Sequence, residues 1–142
     1  MSKAEPRKRT TWSLIYRGIS IEAVNWSIPG YKEDCWAGYM YLHSKSHPEI
    51  LGFDVDLSSK YTDRIPVFDD LPFHCGVTFS EITRHREDVR MKVGCDYQHY
   101  WDEGREYEHG IVLNDMCKVV DEYREKFPEP PESKGRETRG EE

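Results

Sequence analysis

Two glycine-containing stretches concentrate the residues able to move a proton or hold a ligand. They are Phe73-His74-Cys75-Gly76-Val77-Thr78-Phe79 and Val93-Gly94-Cys95-Asp96-Tyr97-Gln98-His99. Both read as β-strands, and both place imidazole, thiol or carboxylate groups where a strand ordinarily carries packing side chains. If the two strands are neighbours, His74, Asp96 and His99 meet at one edge of a sheet. A carboxylate beside two imidazoles suits general acid–base catalysis, or part of a metal-ligand set. Only Asp96-x-x-His99 has local ligand spacing, so no metal is assigned. The plain alternatives are that a strand histidine is a satisfied rim residue and that an aspartate at a strand end caps a turn. Cys75 adjoins His74 and Cys95 adjoins Asp96, but neighbours along a strand face opposite ways, which argues against an activated thiolate. His85 and His109 read as surface residues, and His43 and His47 open a long loop.

Aromatic rings gather around the same segments: Trp36, Tyr39, Tyr41, Tyr97, Tyr100, Trp101 and Tyr107. Rings beside a few polar groups suit a planar ligand such as a nucleobase, because each stacked ring contributes about 1 kcal/mol or more. The alternative is that they pack the sheet or form an oligomer interface. No glycine-rich phosphate loop, nucleophile elbow or dinucleotide fingerprint is present.

The elements that must position these groups follow from local pattern. Residues 12–16 and 19–26 are β-prone runs separated by Arg17-Gly18, which predicts a tight hairpin. After the turn signal Ser27-Ile28-Pro29-Gly30, residues 35–42 predict a third strand in which Gly38 marks a bulge or a close approach to the backbone. Residues 43–71 lose any sustained period and predict either a short strand at 50–57 or a functional loop, a candidate lid. A strand around His74, a charged turn at 83–88 and an alternating strand at 89–96 come next. Residues 111–127 carry Leu113, Met116, Val120, Tyr123 and Phe127 at helical spacing, widened by Val112 and Val119, with Arg124 among the charges of a solvated face. The expected fold is α+β: an antiparallel sheet of about five strands on one C-terminal amphipathic helix, with the long loop between strands 3 and 4 and the second sheet face wet or covered by that loop.

The chain has 142 residues and a net charge of −7. Residues 1–10 carry +3 and residues 128–142 carry −2, which leaves −8 on residues 11–127. The two ends predict disordered tails, basic and Pro/Glu-rich, flanking a single domain at 11–127. An acidic body disfavours nucleic-acid binding through counterion release. No apolar run approaches the roughly 18 residues of a membrane span, and no secretion signal is visible, so the expected location is the cytoplasm. Cys35, Cys75, Cys95 and Cys117 are widely spaced, which predicts buried reduced thiols rather than a zinc ribbon.

Cys35-Trp36-Ala37-Gly38-Tyr39, Ser46-His47-Pro48 and the two opening motifs, in this order, resemble a family of small uncharacterised phage and bacterial proteins. That family carries a Cys-Gly-Tyr-Val strand, a His-Pro loop, a Val-His-Gly-Gly-Leu-Thr strand and a Gly-Phe-Asp-Cys-x-His segment before a C-terminal helix. The likeness spans about residues 12–127 and places His47, His74, Gly76, Asp96 and His99 on motif positions. This chain departs from it at Cys75-Gly76 and at Gly94-Cys95-Asp96. The resemblance implies a phage or prophage accessory protein in a bacterial host cell. Three function classes follow. The first is a binder of a small, nucleotide-like ligand held by Trp36, Tyr39, His47, His74, Gly76, Asp96, Tyr97 and His99, whose capture would counteract a host defence signal. The second is a small hydrolase, metal-assisted or not, using His74, Asp96 and His99. The third is an acidic interaction protein that inhibits a host enzyme. A cofactor is not specified, and a homo-oligomer or host-protein contact is expected.

Overall fold

Arg17 and Gly18 both take positive φ, 51° and 77°. A two-residue type I′ turn requires this pair of left-handed conformations, and its twist matches that of the strands it joins. The turn closes β1 (Arg9–Tyr16) onto β2 (Ile19–Trp26), with Tyr16 opposite Ile19 and Arg9 opposite Trp26. The computed structural model describes residues 9–27, 30, 35–55, 65–97 and 107–129. β3 (Cys35–His43) pairs with β2, and β4 (Phe79–His85) forms a second hairpin with β5 (Asp88–Asp96). β5 lies between β3 and β4, giving a five-stranded sheet of order β1-β2-β3-β5-β4, antiparallel throughout. The helix α1 (His109–Lys126) packs on the β1–β3 half of one face. This is the expected α+β architecture.

Strand alternation sorts the side chains onto two faces. Ile19, Ile21 and Ala23 of β2, Trp36, Met40 and Leu42 of β3, and Met91, Val93, Cys95 and Tyr97 at β5 share the helix face. Those of β2 and β3 bury against Val112, Met116, Val119, Val120 and Tyr123 of α1, and those of β5 belong to the same core. The long connection covers the remaining half of this same face with Ile50, Ile65, Phe68, Leu71 and Phe73. Phe68 stacks on Tyr123 with ring centroids 6.3 Å apart. Its described parts therefore belong to the core and do not cover the second face, as had been one expectation. The residues at 50–52 form part of a single 3₁₀ turn, Pro48–Gly52, where a strand was the alternative; residues 56–64 lie outside the described residues.

Two glycines set the spacing of the layers. A Cβ at Gly38 would meet Met116 Cγ and Sδ at 3.0 Å and Val112 Cγ1 at 3.1 Å, so Gly38 is where the helix seats on the sheet. A Cβ at Gly94 would overlap the Gly38 carbonyl oxygen and the Tyr39 ring. Gly94 thus leaves room on the opposite face for the ring of its cross-strand partner Tyr39.

Several expectations change. Arg9 and Thr10 are strand residues rather than tail, because Arg9 continues the ladder opposite Trp26. Glu129 belongs to the folded body and not to the tail, since Arg17 Nε and Nη2 donate to its two carboxylate oxygens at 2.7 and 2.9 Å. Arg124, expected on the solvated face of the helix, is buried. Its Nε and Nη2 donate to the Arg17 carbonyl at 3.1 and 2.9 Å and its Nη1 to the Phe127 carbonyl at 3.1 Å. A guanidinium there satisfies carbonyls of the hairpin tip and of the helix C-terminus, where positive charge is favoured. Cys35 and Cys95 are buried as expected, whereas Cys75 is exposed and Cys117 half-buried.

The two glycines make a quantitative comparison. Gly94→Ala places a methyl against backbone and should destabilise by about 3 kcal/mol, while Gly38→Ala meets the flexible Met116 and should cost about 1 kcal/mol. Urea unfolding of both variants checks this, and equal losses would contradict the packing described.

Candidate functional site

The first motif does not form a strand up to Thr78. Cys75 and Gly76 take φ of 58° and 92°, and the Gly76 amide donates to the Phe73 carbonyl at 2.9 Å, so His74 sits in a turn that precedes β4. The consecutive left-handed residues end the extended run that the β-rich composition suggested.

From this turn the His74 ring stacks on Tyr97, with centroids 4.2 Å apart and planes 10° apart. Tyr107 packs edgewise on Tyr97 at 4.8 Å and on His74 at 5.9 Å. Tyr97 is buried and its hydroxyl donates to Asp115 at 2.6 Å; burial, then this bond to a carboxylate, raises its pKa. The Tyr97 amide donates to the Trp36 carbonyl at 2.9 Å, and Trp36 stacks on Trp12, which stacks in turn on His109. Two ring stacks thus lie on the helix side of the sheet, Trp12 with Trp36 and His109, and His74 with Tyr97 and Tyr107, joined through the backbone bond between Tyr97 and Trp36. Burial pushes the Cys95 thiol up to about 12, which holds it in the protonated form at neutral pH.

Asp96 belongs to the other face. Its register opposite Ala37 sets it on the side of Tyr39, and its charge is among those that raise the Tyr39 pKa after the larger effect of burial. The Asp96 amide donates to Thr78 Oγ1 at 3.1 Å. The side chains of His74 and Asp96 therefore serve opposite faces. His99 lies outside the described residues.

His47 stands at the far end of β3 from Trp36. It is buried, Nδ1 accepts from the His43 amide at 3.1 Å, and Nε2 lies 3.0 Å from the Gly18 carbonyl. This geometry selects the neutral ring with its proton on Nε2. Burial lowers its pKa, against smaller opposing contributions from the Gly18 bond and Glu49. Nε2 ties the loop to the tip of the first hairpin, and Nδ1 ties it to the end of β3. Gly76 is exposed in its turn, with nothing within 4 Å of an added Cβ.

The face away from the helix carries a second aromatic group. Tyr39 lies over Gly94 and meets Phe79 edgewise at 5.6 Å and 81°. Lys92 Nζ is 4.4 Å from the Tyr39 ring centre and lies within 5.7 Å of the rings of Tyr41 and Phe79. Tyr41 donates to Glu22, and burial followed by that bond raises its pKa. Beside Tyr39 opens a hollow of about 420 Å³ walled by Arg9, Val24, Trp26 and Tyr39. Burial raises the pKa of both Tyr39 and Tyr41, and the positive charge of Arg9 opposes it at each.

Of the residues proposed from sequence, the structure joins His74, Tyr97 and Trp36 on one face and Tyr39 and Asp96 on the other, with His47 apart from both. Arg9, Trp26 and Lys92 were missed. The period of two in β2 and β5 carries the signal for the last two, since Trp26 and Val24 share a face of β2 and Lys92 shares the Gly94 face of β5; Arg9 lies in a basic run that reads as tail. Among the described residues no group of three or more His, Cys, Asp or Glu is arranged to hold a metal. No helix among them is long and apolar enough to cross a membrane. Comparison with protein-family models, curated proteins and solved structures finds no match to the chain.

The buried neutral His47 has a pH consequence. Its folded pKa lies below the ordinary 6.5, so the unfolded chain takes up the proton first. Its contribution to stability is whole above pH 6.5 and is lost as pH falls through the folded value. The melting temperature should fall between pH 7.5 and 5.5 in the native protein and fall less in His47→Gln, measured by circular dichroism across that range.

Proposed function

We propose that this chain is a binding protein for a small, planar, anionic ligand of nucleotide type, held on the sheet face away from the helix. The observation that carries the reading is the Tyr39 platform: a ring spread over Gly94, flanked by Lys92, and bordering a hollow of about 420 Å³ walled by Arg9, Val24, Trp26 and Tyr39. That volume falls in the range of small-molecule sites, and an apolar wall with few charged groups is their usual composition. Trp26 and Tyr39 offer π-faces to a base, worth about 1–3 kcal/mol for each stacked ring. Arg9 and Lys92 offer charge to a phosphate, Arg9 in bidentate form. Such cations on a body with a net charge of −8 give a local attraction that long-range charge does not supply.

The sequence resemblance described above adds a setting to this chemistry: a phage or prophage accessory protein that sequesters a nucleotide-like signal of its host's defence. An acid–base role for His74 with Asp96 is less well supported, because their side chains attend opposite faces of the sheet.

The reading is tested by titrating the protein with the four nucleoside 5′-monophosphates and with cyclic mononucleotides and dinucleotides, following tryptophan fluorescence and calorimetric heat. At least one class should bind and quench the indole emission. Arg9→Ala and Trp26→Ala should each weaken that binding about tenfold or more, a loss of roughly 1.4 kcal/mol. His74→Ala should leave it unchanged. Absence of binding throughout the panel, or binding that depends on His74 and not on Arg9 or Trp26, would overturn the assignment.

A further inference from the structure

Among the described residues β1 is an edge strand, paired only with β2. Because the hairpin turn has two residues, Tyr16 and Ile19 form its closing hydrogen-bonded pair. Alternation then directs the backbone groups of Tyr16, Leu14, Trp12 and Thr10 toward β2 and those of Ile15, Ser13, Thr11 and Arg9 outward. The outward row is a ready template for another strand.

Edges of this kind are ordinarily blunted by charge, proline or a bulge. The opposite edge of the sheet follows that rule, since β4 carries Glu81, Arg84 and His85. β1 does not. Between Arg9 and Arg17 it reads Thr-Thr-Trp-Ser-Leu-Ile-Tyr, without charge, proline or glycine, and its ladder to β2 is uninterrupted. Ile15 is 73% exposed and Leu14 39%. Edge and composition together describe a pairing surface.

We infer that β1 pairs antiparallel with β1 of a second copy of this chain, joining two sheets into one of ten strands. A neutral, β-prone partner strand is what the edge fits, and β1 itself has that chemistry. A two-fold axis normal to the sheet keeps each side chain on its own face, so outward residues must meet outward residues. A register with Ser13 opposite Ser13 would set Arg9 against Arg17 of the other copy. The register with Trp12 opposite Trp12 instead sets Thr11 against Ser13 and Arg9 against Ile15, where the aliphatic stem of the arginine covers the exposed isoleucine. Four outward pairs then exchange roughly eight backbone hydrogen bonds. The pairing closes on itself, because the β4 edges left at both ends are charged. The inference does not depend on the ligand reading.

Sedimentation velocity of the full chain at about 10–100 µM tests it. The native protein and a Glu81→Lys control on the β4 edge should sediment as dimers. Ser13→Pro removes an outward amide while leaving the hairpin bonds in place, and Ile15→Lys puts charge on the edge; each should weaken the dimer about tenfold or more. Circular dichroism establishes that each variant is folded, and Ile15→Lys alone decides the matter if the proline variant is not. A monomeric native protein at about 100 µM, a dimer that survives Ile15→Lys, or growth beyond the dimer would each overturn the inference.

Discussion

Two missing Cβ atoms organise this molecule. Gly38 and Gly94 lie on adjacent strands, β3 and β5, and each leaves space on a different face. On one side, Met116 and Val112 rest against Gly38, which lets the helix approach closely enough for Val119, Val120 and Tyr123 to be buried with them. On the other, Tyr39 spreads over Gly94 instead of standing away from the sheet, and Lys92 settles above the ring. Helix seat and aromatic platform thus share one cause in the backbone at the centre of the sheet. A methyl at Gly94 would touch both, because it would press on the Gly38 carbonyl as well as on Tyr39.

The closed face is held at its ends by polar groups that have no freedom left. At the hairpin end, His47 bonds Gly18 and His43 through its two ring nitrogens, while Arg124 bonds the Arg17 and Phe127 carbonyls. Tyr123 donates to Glu49 at 2.6 Å. These groups link the first hairpin, the 43–52 segment and the helix C-terminus into one unit, and removing any one would leave a buried partner unsatisfied. Such demands explain their burial without any appeal to a ligand. The open face differs: its cations and rings border a hollow rather than one another's buried carbonyls.

Much of the architecture was legible because it rests on short-range pattern. Arg17-Gly18 announced a tight turn, the alternation of Val89, Met91, Val93 and Cys95 a half-wet strand, and the spacing of Met116, Val120 and Tyr123 a helix face. The site was legible only in part. Composition pointed to Tyr39, Trp36 and Tyr97 as notable rings, but the face each occupies depends on register, which sets Tyr39 against Gly94 and the Tyr97 amide against the Trp36 carbonyl. The left-handed backbone of Cys75, a non-glycine residue, moved His74 out of a strand in a way β-propensity does not anticipate. Arg9 was hidden in a basic run that reads as tail, and Arg124 in a helix face that reads as solvated, because the carbonyls that hold Arg124 lie more than one hundred residues away or beyond the helix end.

The assignment of the open face is tested most directly by mapping amide and indole chemical shifts during titration with the nucleotide that binds best. Perturbations centred on Val24, the Trp26 indole, Tyr39, Lys92 and Gly94 are the predicted result. Perturbations confined to His74, Tyr97 and Tyr107, with the Tyr39 face silent, would contradict it.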